Sequence, residues 1–162
     1  MKQSCLVRHY AHPIPICCTM YSPADLLFPM PEENVMAIAR GGFARQVLAL
    51  VCQEEHFAEG NMFLEKVLTA AGLNLEQDVA LASVEPGSAV SLFPFPQHKR
   101  PQVVLVFGIE PKDLGLRLES ALYVPTDFYG TVFLFAHKLS ELQPDTGKKG
   151  QLWRALQQIF LK

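Results

Sequence analysis

Two short stretches hold the side chains able to do chemistry. The first is Glu54-Glu55-His56-Phe57, directly after an apolar run. Two carboxylates beside an imidazole offer a proton acceptor and an alternative acid or base. Phe57 adds a face on which a flat ligand can stack. The same residues also read as a solvated turn between a strand and a helix. The second stretch runs from His137 to Leu142. A histidine at a strand end is either a ligand contact or a capping and packing residue. Ser140 has no activating base at a useful spacing, which argues against nucleophilic catalysis. Gly108, near the end of another apolar run, allows a backbone or a ligand to come close. Phe93 and Phe95 stand among prolines. They either plug the rim of the domain or form a partner-binding patch.

Composition narrows the setting. The chain has 162 residues, 49% of them apolar and 19% charged, which suits one globular domain. A net charge of −2 is a poor footprint for tight duplex binding, so weak or no duplex DNA binding is expected. Basic residues cluster only at His98-Lys99-Arg100 and Lys148-Lys149. Of the cysteines, Cys5, Cys17 and Cys18 fall near the start and Cys52 in an apolar run. They suggest no disulfide framework. His9, His12, Cys17 and Cys18 fit no usual zinc spacing. No metal or cofactor is expected. There is no secretory h-region and no run of about 20 apolar residues. A cytoplasmic location without membrane contact is the expectation.

The elements that must position these residues follow from periodicity. Residues 1–30 are proline-rich and read as an arm before a single domain over 31–162. Val35–Ala39 suggests a short strand turned by Gly41-Gly42. Gln46–Gln53 reads as a strand buried on both faces. Asn61–Ala71 has apolar Phe63, Leu64, Val67, Leu68 and Ala71 on one helix face, with Asn61 as N-cap and Gly72 as stop. Val79–Val84 is the next strand, so residues 46–84 make one strand–helix–strand unit. Gln102–Ile109 is a further strand. A short helix over Lys112–Leu118 follows, with Pro111 in its first turn. Residues 119–130 return the chain. Thr131–Ala136 is the last strand, a polar loop follows, and Lys148–Leu161 is the last helix, with Leu152, Trp153, Leu156, Ile159 and Phe160 in one stripe. This order predicts a three-layer α/β/α sandwich with a mostly parallel sheet of four to five strands.

The end of the chain, a strand, Ala136-His137, Ser140, Leu142 and then a Lys-x-x-x-Leu-Trp helix, resembles the uracil-DNA glycosylase superfamily. Asn61–Leu73 and Val79–Val84 resemble that family's first helix and the strand after it. Gln102–Gly108 resembles its apolar strand ending in Leu-Gly. The resemblance covers about residues 46–162 and rests on order and spacing. It implies a uracil-DNA glycosylase-like fold. It also implies roles: Glu54 or Glu55 for the water, His56 as alternative acid or base, His137 for the base, Phe57 for stacking, with Gly108 and Ser140 at the pocket. The departures are specific. Gln53-Glu54-Glu55-His56-Phe57 lacks the Gly-x-x-Pro-Gly type turn, and Lys138-Leu139 stands where Pro-Ser would be expected. The plan, with an arm before the first strand and a Leu-Trp helix at the end, is also similar to the psi-subunit family of bacterial DNA polymerase III.

Three readings therefore stand. The first is a non-catalytic glycosylase-fold adaptor that binds another protein, with replication proteins or a clamp loader as what the psi resemblance implies. The second is a divergent uracil-DNA glycosylase of base-excision repair. The third is an unrelated α/β module for a small molecule.

Overall fold

The computed structural model describes residues 34–54, 60–88, 90–95 and 99–161. The arm over 1–30 therefore lies outside the described residues. The elements are α1 (Val35–Ile38), β1 (Val47–Cys52), α2 (Gly60–Ala70), β2 (Val79–Val84), β3 (Val103–Phe107), a 3-10 turn at Pro111–Leu114, β4 (Thr126–Phe128), β5 (Thr131–Ala136), α3 (Leu139–Leu142) and α4 (Thr146–Phe160). The sheet has five strands in the order β2-β1-β3-β5-β4. All neighbours are parallel except β4, which runs antiparallel to β5.

β1 lies inside the sheet, between β2 and β3. Val47 pairs with Val79 on one side and with Val103 on the other. Each of its residues is buried, as a strand covered on both faces must be. Alternate residues then serve opposite layers. Val47, Ala49 and Val51 join Leu64 and Leu68 of α2, Leu139 and Leu142 of α3, and Leu152 and Leu156 of α4. Leu48, Leu50 and Cys52 join Val35 of α1, Leu92, Ile109, Leu114 and Leu116. The two layers are unequal. One face carries the long helices α2 and α4, and the other is covered by short turns and irregular chain.

Several boundaries differ from the sequence-based expectation. Val35–Ile38 is helical rather than extended, because Asn34 accepts a hydrogen bond from Met36 N–H at 2.9 Å and starts a turn. An apolar run this short fits either structure. Arg40, just after it, exchanges both backbone hydrogen bonds with Leu81 on the outer edge of β2, at 2.8 and 2.7 Å. The α2 helix already includes Asn61, so Asn61 is not its N-cap. Its end is as expected. Gly72 has φ +77°. Its N–H reaches Thr69 O at 3.0 Å, and Leu73 N–H reaches Leu68 O at 2.9 Å. The helix expected over Lys112–Leu118 is only the 3-10 turn, since Gly115 at φ +69° ends it. The returning segment holds an unforeseen strand, β4. Tyr129 and Gly130, at φ 51° and 74°, give the two-residue turn that pairs Phe128 with Thr131.

The α4 helix starts two residues before Lys148, at Thr146, because Asp145 caps it. Its Oδ1 accepts from Lys148 N–H at 3.1 Å. That bond and a second from Gly147 N–H hold the Asp145 carboxyl below its ordinary value. The folded pKa is therefore lower than the unfolded one. The contribution to stability is complete above about pH 4 and is lost as pH falls through the folded value. Asp145→Ala should lower the thermal midpoint by a few degrees at pH 7, with the difference from wild type shrinking in acid. Asp145→Asn should keep the cap and remove this pH dependence. Thermal melts of the variants at both ends of that range check both outcomes.

Candidate functional site

In a parallel sheet, ligands bind beyond the carboxyl ends of the strands, where the strand order reverses. Here β1 leads outward to β2 and β3 leads the other way to β5. The crevice therefore falls between the ends of β1 and β3, at Gln53-Glu54 and Gly108-Ile109. The chain leaving β5 lies across it. Gly108 N–H donates to Ala136 O at 2.9 Å. Gly108 has φ +73°, and a Cβ there would sit 3.1 Å from Lys138 Cα. Next in the chain, Leu139 is buried beneath the helices. Ser140 N–H then reaches Glu54 Oε1 at 3.5 Å, a long hydrogen bond that closes the crossing. Lys138 to Ser140 thus bridge the end of β3 to the segment after β1.

His137 sits at the start of this bridge and has a partner that the sequence did not suggest. Tyr123 Oη is 2.5 Å from His137 Nδ1, and the two rings stack with centroids 5.5 Å apart. Tyr123 is fixed by Phe135 O, which accepts from its N–H at 2.8 Å, and it holds a positive φ of 63°. Burial pushes the Tyr123 phenol above its ordinary pKa. The backbone N–H of His137, which donates to the phenol oxygen, works against this, while Asp145 and Glu141 add to the upward shift. Either the phenol or Nδ1 can supply the proton of this bond, according to the imidazole tautomer. The only sequence signal was a tyrosine 14 residues upstream, which no spacing rule connects to His137.

The remaining candidates divide clearly. Glu54, His137, Ser140 and Gly108 are gathered at one edge of the sheet. Among the described residues no hydrogen bond joins Glu54 to His137: one carboxylate oxygen faces Ser140 N–H and the imidazole faces Tyr123. Glu55, His56 and Phe57 lie outside the described residues. Phe93 and Phe95 are half-buried against the loop-covered layer, with ring centroids 4.7 Å apart. Cys52 ends β1 beside these groups. Burial pushes its thiol up and Lys138 works against that, with Glu54 and Asp113 adding to the rise, so it stays a neutral, unreactive thiol. A cleft of about 650 Å³ opens beside the bridge, toward β2, and is lined by residues including Arg40, Gln53, Glu54, Asn61 and Ser83. Residues 55–59, between Glu54 and Gly60, lie outside the described residues. Among the described residues no group of three or more His, Cys, Asp or Glu could hold a metal ion. No helix there is long and apolar enough to cross a membrane.

The domain is thus an α/β domain with a five-stranded, mostly parallel sheet flanked by helices. No protein-family model matches the chain, and no curated protein matches it.

Two variants separate the parts of the bridge. Gly108→Ala meets both the positive φ and the Lys138 backbone, whereas Gly72→Ala meets open space at a similar φ. Urea unfolding should show Gly72→Ala costing about 1 kcal/mol and Gly108→Ala about 2–3 kcal/mol. Tyr123→Phe removes the phenol that bonds Nδ1, so the His137 ring-nitrogen signals should shift in long-range nitrogen spectra. Because the folded pKa of Tyr123 is raised, its stabilising effect is full below about pH 10 and is lost as pH rises through the folded value. The Phe variant should lack that alkaline loss.

Proposed function

We propose that this chain is a non-catalytic domain of glycosylase-like plan that binds another protein, with a replisome or clamp-loader assembly as the setting the psi resemblance suggests. The parallel strands in the order β2-β1-β3-β5 fit the sheet order that the glycosylase resemblance implies. The observation that carries the non-catalytic half is the bridge. Base excision needs an open apolar pocket, a carboxylate or amide that positions water, and a donor aimed at the base. Here Lys138 to Ser140 cross the crevice and Glu54 is engaged by Ser140 N–H. The crossing chain takes up the space between the ends of β1 and β3, and the open cleft lies beside it, toward β2.

The alternative, a divergent uracil-DNA glycosylase, draws on one feature. The pairing of His137 Nδ1 with Tyr123 leaves Nε2 as the ring nitrogen that could meet a carbonyl oxygen. A single assay separates the two. The full chain is incubated with a uracil-containing single strand, and abasic sites are detected by alkaline cleavage. The expected outcome is no cleavage above a protein-free control. Abasic sites that vanish in His137→Ala would replace the adaptor reading with the enzymatic one.

A further inference from the structure

A shallow groove runs between α2 and α4, on the side of the molecule that carries the long helices. Its wall is almost wholly apolar and consists of Val67, Ala70, Leu152 and Trp153, with Lys66 and Lys149 at its rim. Its volume is about 230 Å³. Small-molecule pockets begin at roughly 300 Å³, so this one suits an anchoring side chain rather than a whole ligand. Trp153 is half-buried, packed against the core while still lining the groove. Lys149 Nζ lies 5.9 Å from the centre of the Phe63 ring, which holds the charge over the apolar wall.

The charged residues that line the groove itself, Lys66 and Lys149, are both basic. Between Thr146 and Phe160, α4 has Lys148, Lys149 and Arg154 and no carboxylate. On α2, Lys66 is accompanied by Glu65, which lines the neighbouring depression with Met62. The ion pairs among the described residues are Lys112–Glu110 and Lys148–Glu141, so neither Lys66 nor Lys149 has a carboxylate partner there. An apolar slot between two cations that have no carboxylate partner among the described residues matches a segment with the opposite charge and one bulky apolar residue.

We propose that the α2–α4 groove is a docking site for an acidic peptide segment. One apolar side chain of the segment packs against Val67, Leu152 and Trp153, and flanking carboxylates meet Lys66 and Lys149. The proposal rests on the protein-binding reading and names the chemistry of the partner. Trp153 is the only tryptophan of the chain, so its emission reports on the groove alone. The full chain is titrated with a tryptophan-free synthetic peptide of aspartates around a leucine–phenylalanine pair. A saturable change in Trp153 emission is expected, weakening as salt is raised. Lys66→Glu with Lys149→Glu should reduce the affinity at least about tenfold. Both positions are on the surface, so the thermal melt should be unchanged.

An absent or unsaturable response would overturn the proposal. So would an equal response to polyaspartate without the apolar pair, or to a single-stranded oligonucleotide, either of which indicates charge attraction alone. A response that follows protein concentration without peptide would assign the groove to a second copy of the chain and overturn it too. The two readings fail separately. Release of abasic sites removes the adaptor reading, whereas silence of Trp153 removes only the groove.

Discussion

The approach of the chain after β5 to Gly108 is the contact on which the carboxyl edge of the sheet depends. A side chain at Gly108 would force Lys138 away from the end of β3. Lys138 must stay close for Leu139 to enter the helical layer and for Ser140 to reach Glu54. Leu139 is 2% exposed, and burying a leucine is worth about 1.5–3 kcal/mol, enough to hold the crossing in place. The short α3 helix follows directly, and Asp145 then starts α4. One glycine with a left-handed backbone therefore sets both the path over the crevice and the entry to the last helix.

The parts legible in the sequence are those that local chemistry decides. β1, β2, β3 and β5 are short apolar runs bounded by polar or turn residues, and burial on both faces requires such runs. Gly72 predicted its own helix end because few residues accept positive φ. What stayed hidden depends on distant partners. β4 is three residues long and exists because it pairs with β5 through a Tyr-Gly turn, which lacks the usual Asn-Gly signature. α1 has the composition of a strand and is decided by the Asn34 cap. The cover of the second face, expected as helix over Lys112–Leu118, became irregular chain once Gly115 broke the turn.

The candidate site divides along the same line. Glu54, Gly108 and His137 could be named because each stands just past the end of a strand, with Ser140 in the short helix after β5, and parallel strands bring those ends together. How they engage one another could not be read. Tyr123 meets His137 through the backbone of Phe135, and Glu54 faces a backbone N–H rather than a side chain. The placement of Tyr123 and the bond of Glu54 both rest on main chain, which every residue carries, so residue type leaves no trace of them. Phe93 and Phe95 illustrate the converse. Their type suggested a surface patch or a plug, and they pack half-buried beneath the rim.

The two margins of the sheet bear on how the molecule can meet others. On the β2 side, Arg40 takes up the backbone groups of Leu81. On the other side, β4 is three residues long, follows Pro125 and carries Asp127 at its centre. A short, proline-led, charged margin is a poor template for an incoming strand. The described sheet is thus guarded against growth by strand addition, and with it against ordered aggregation.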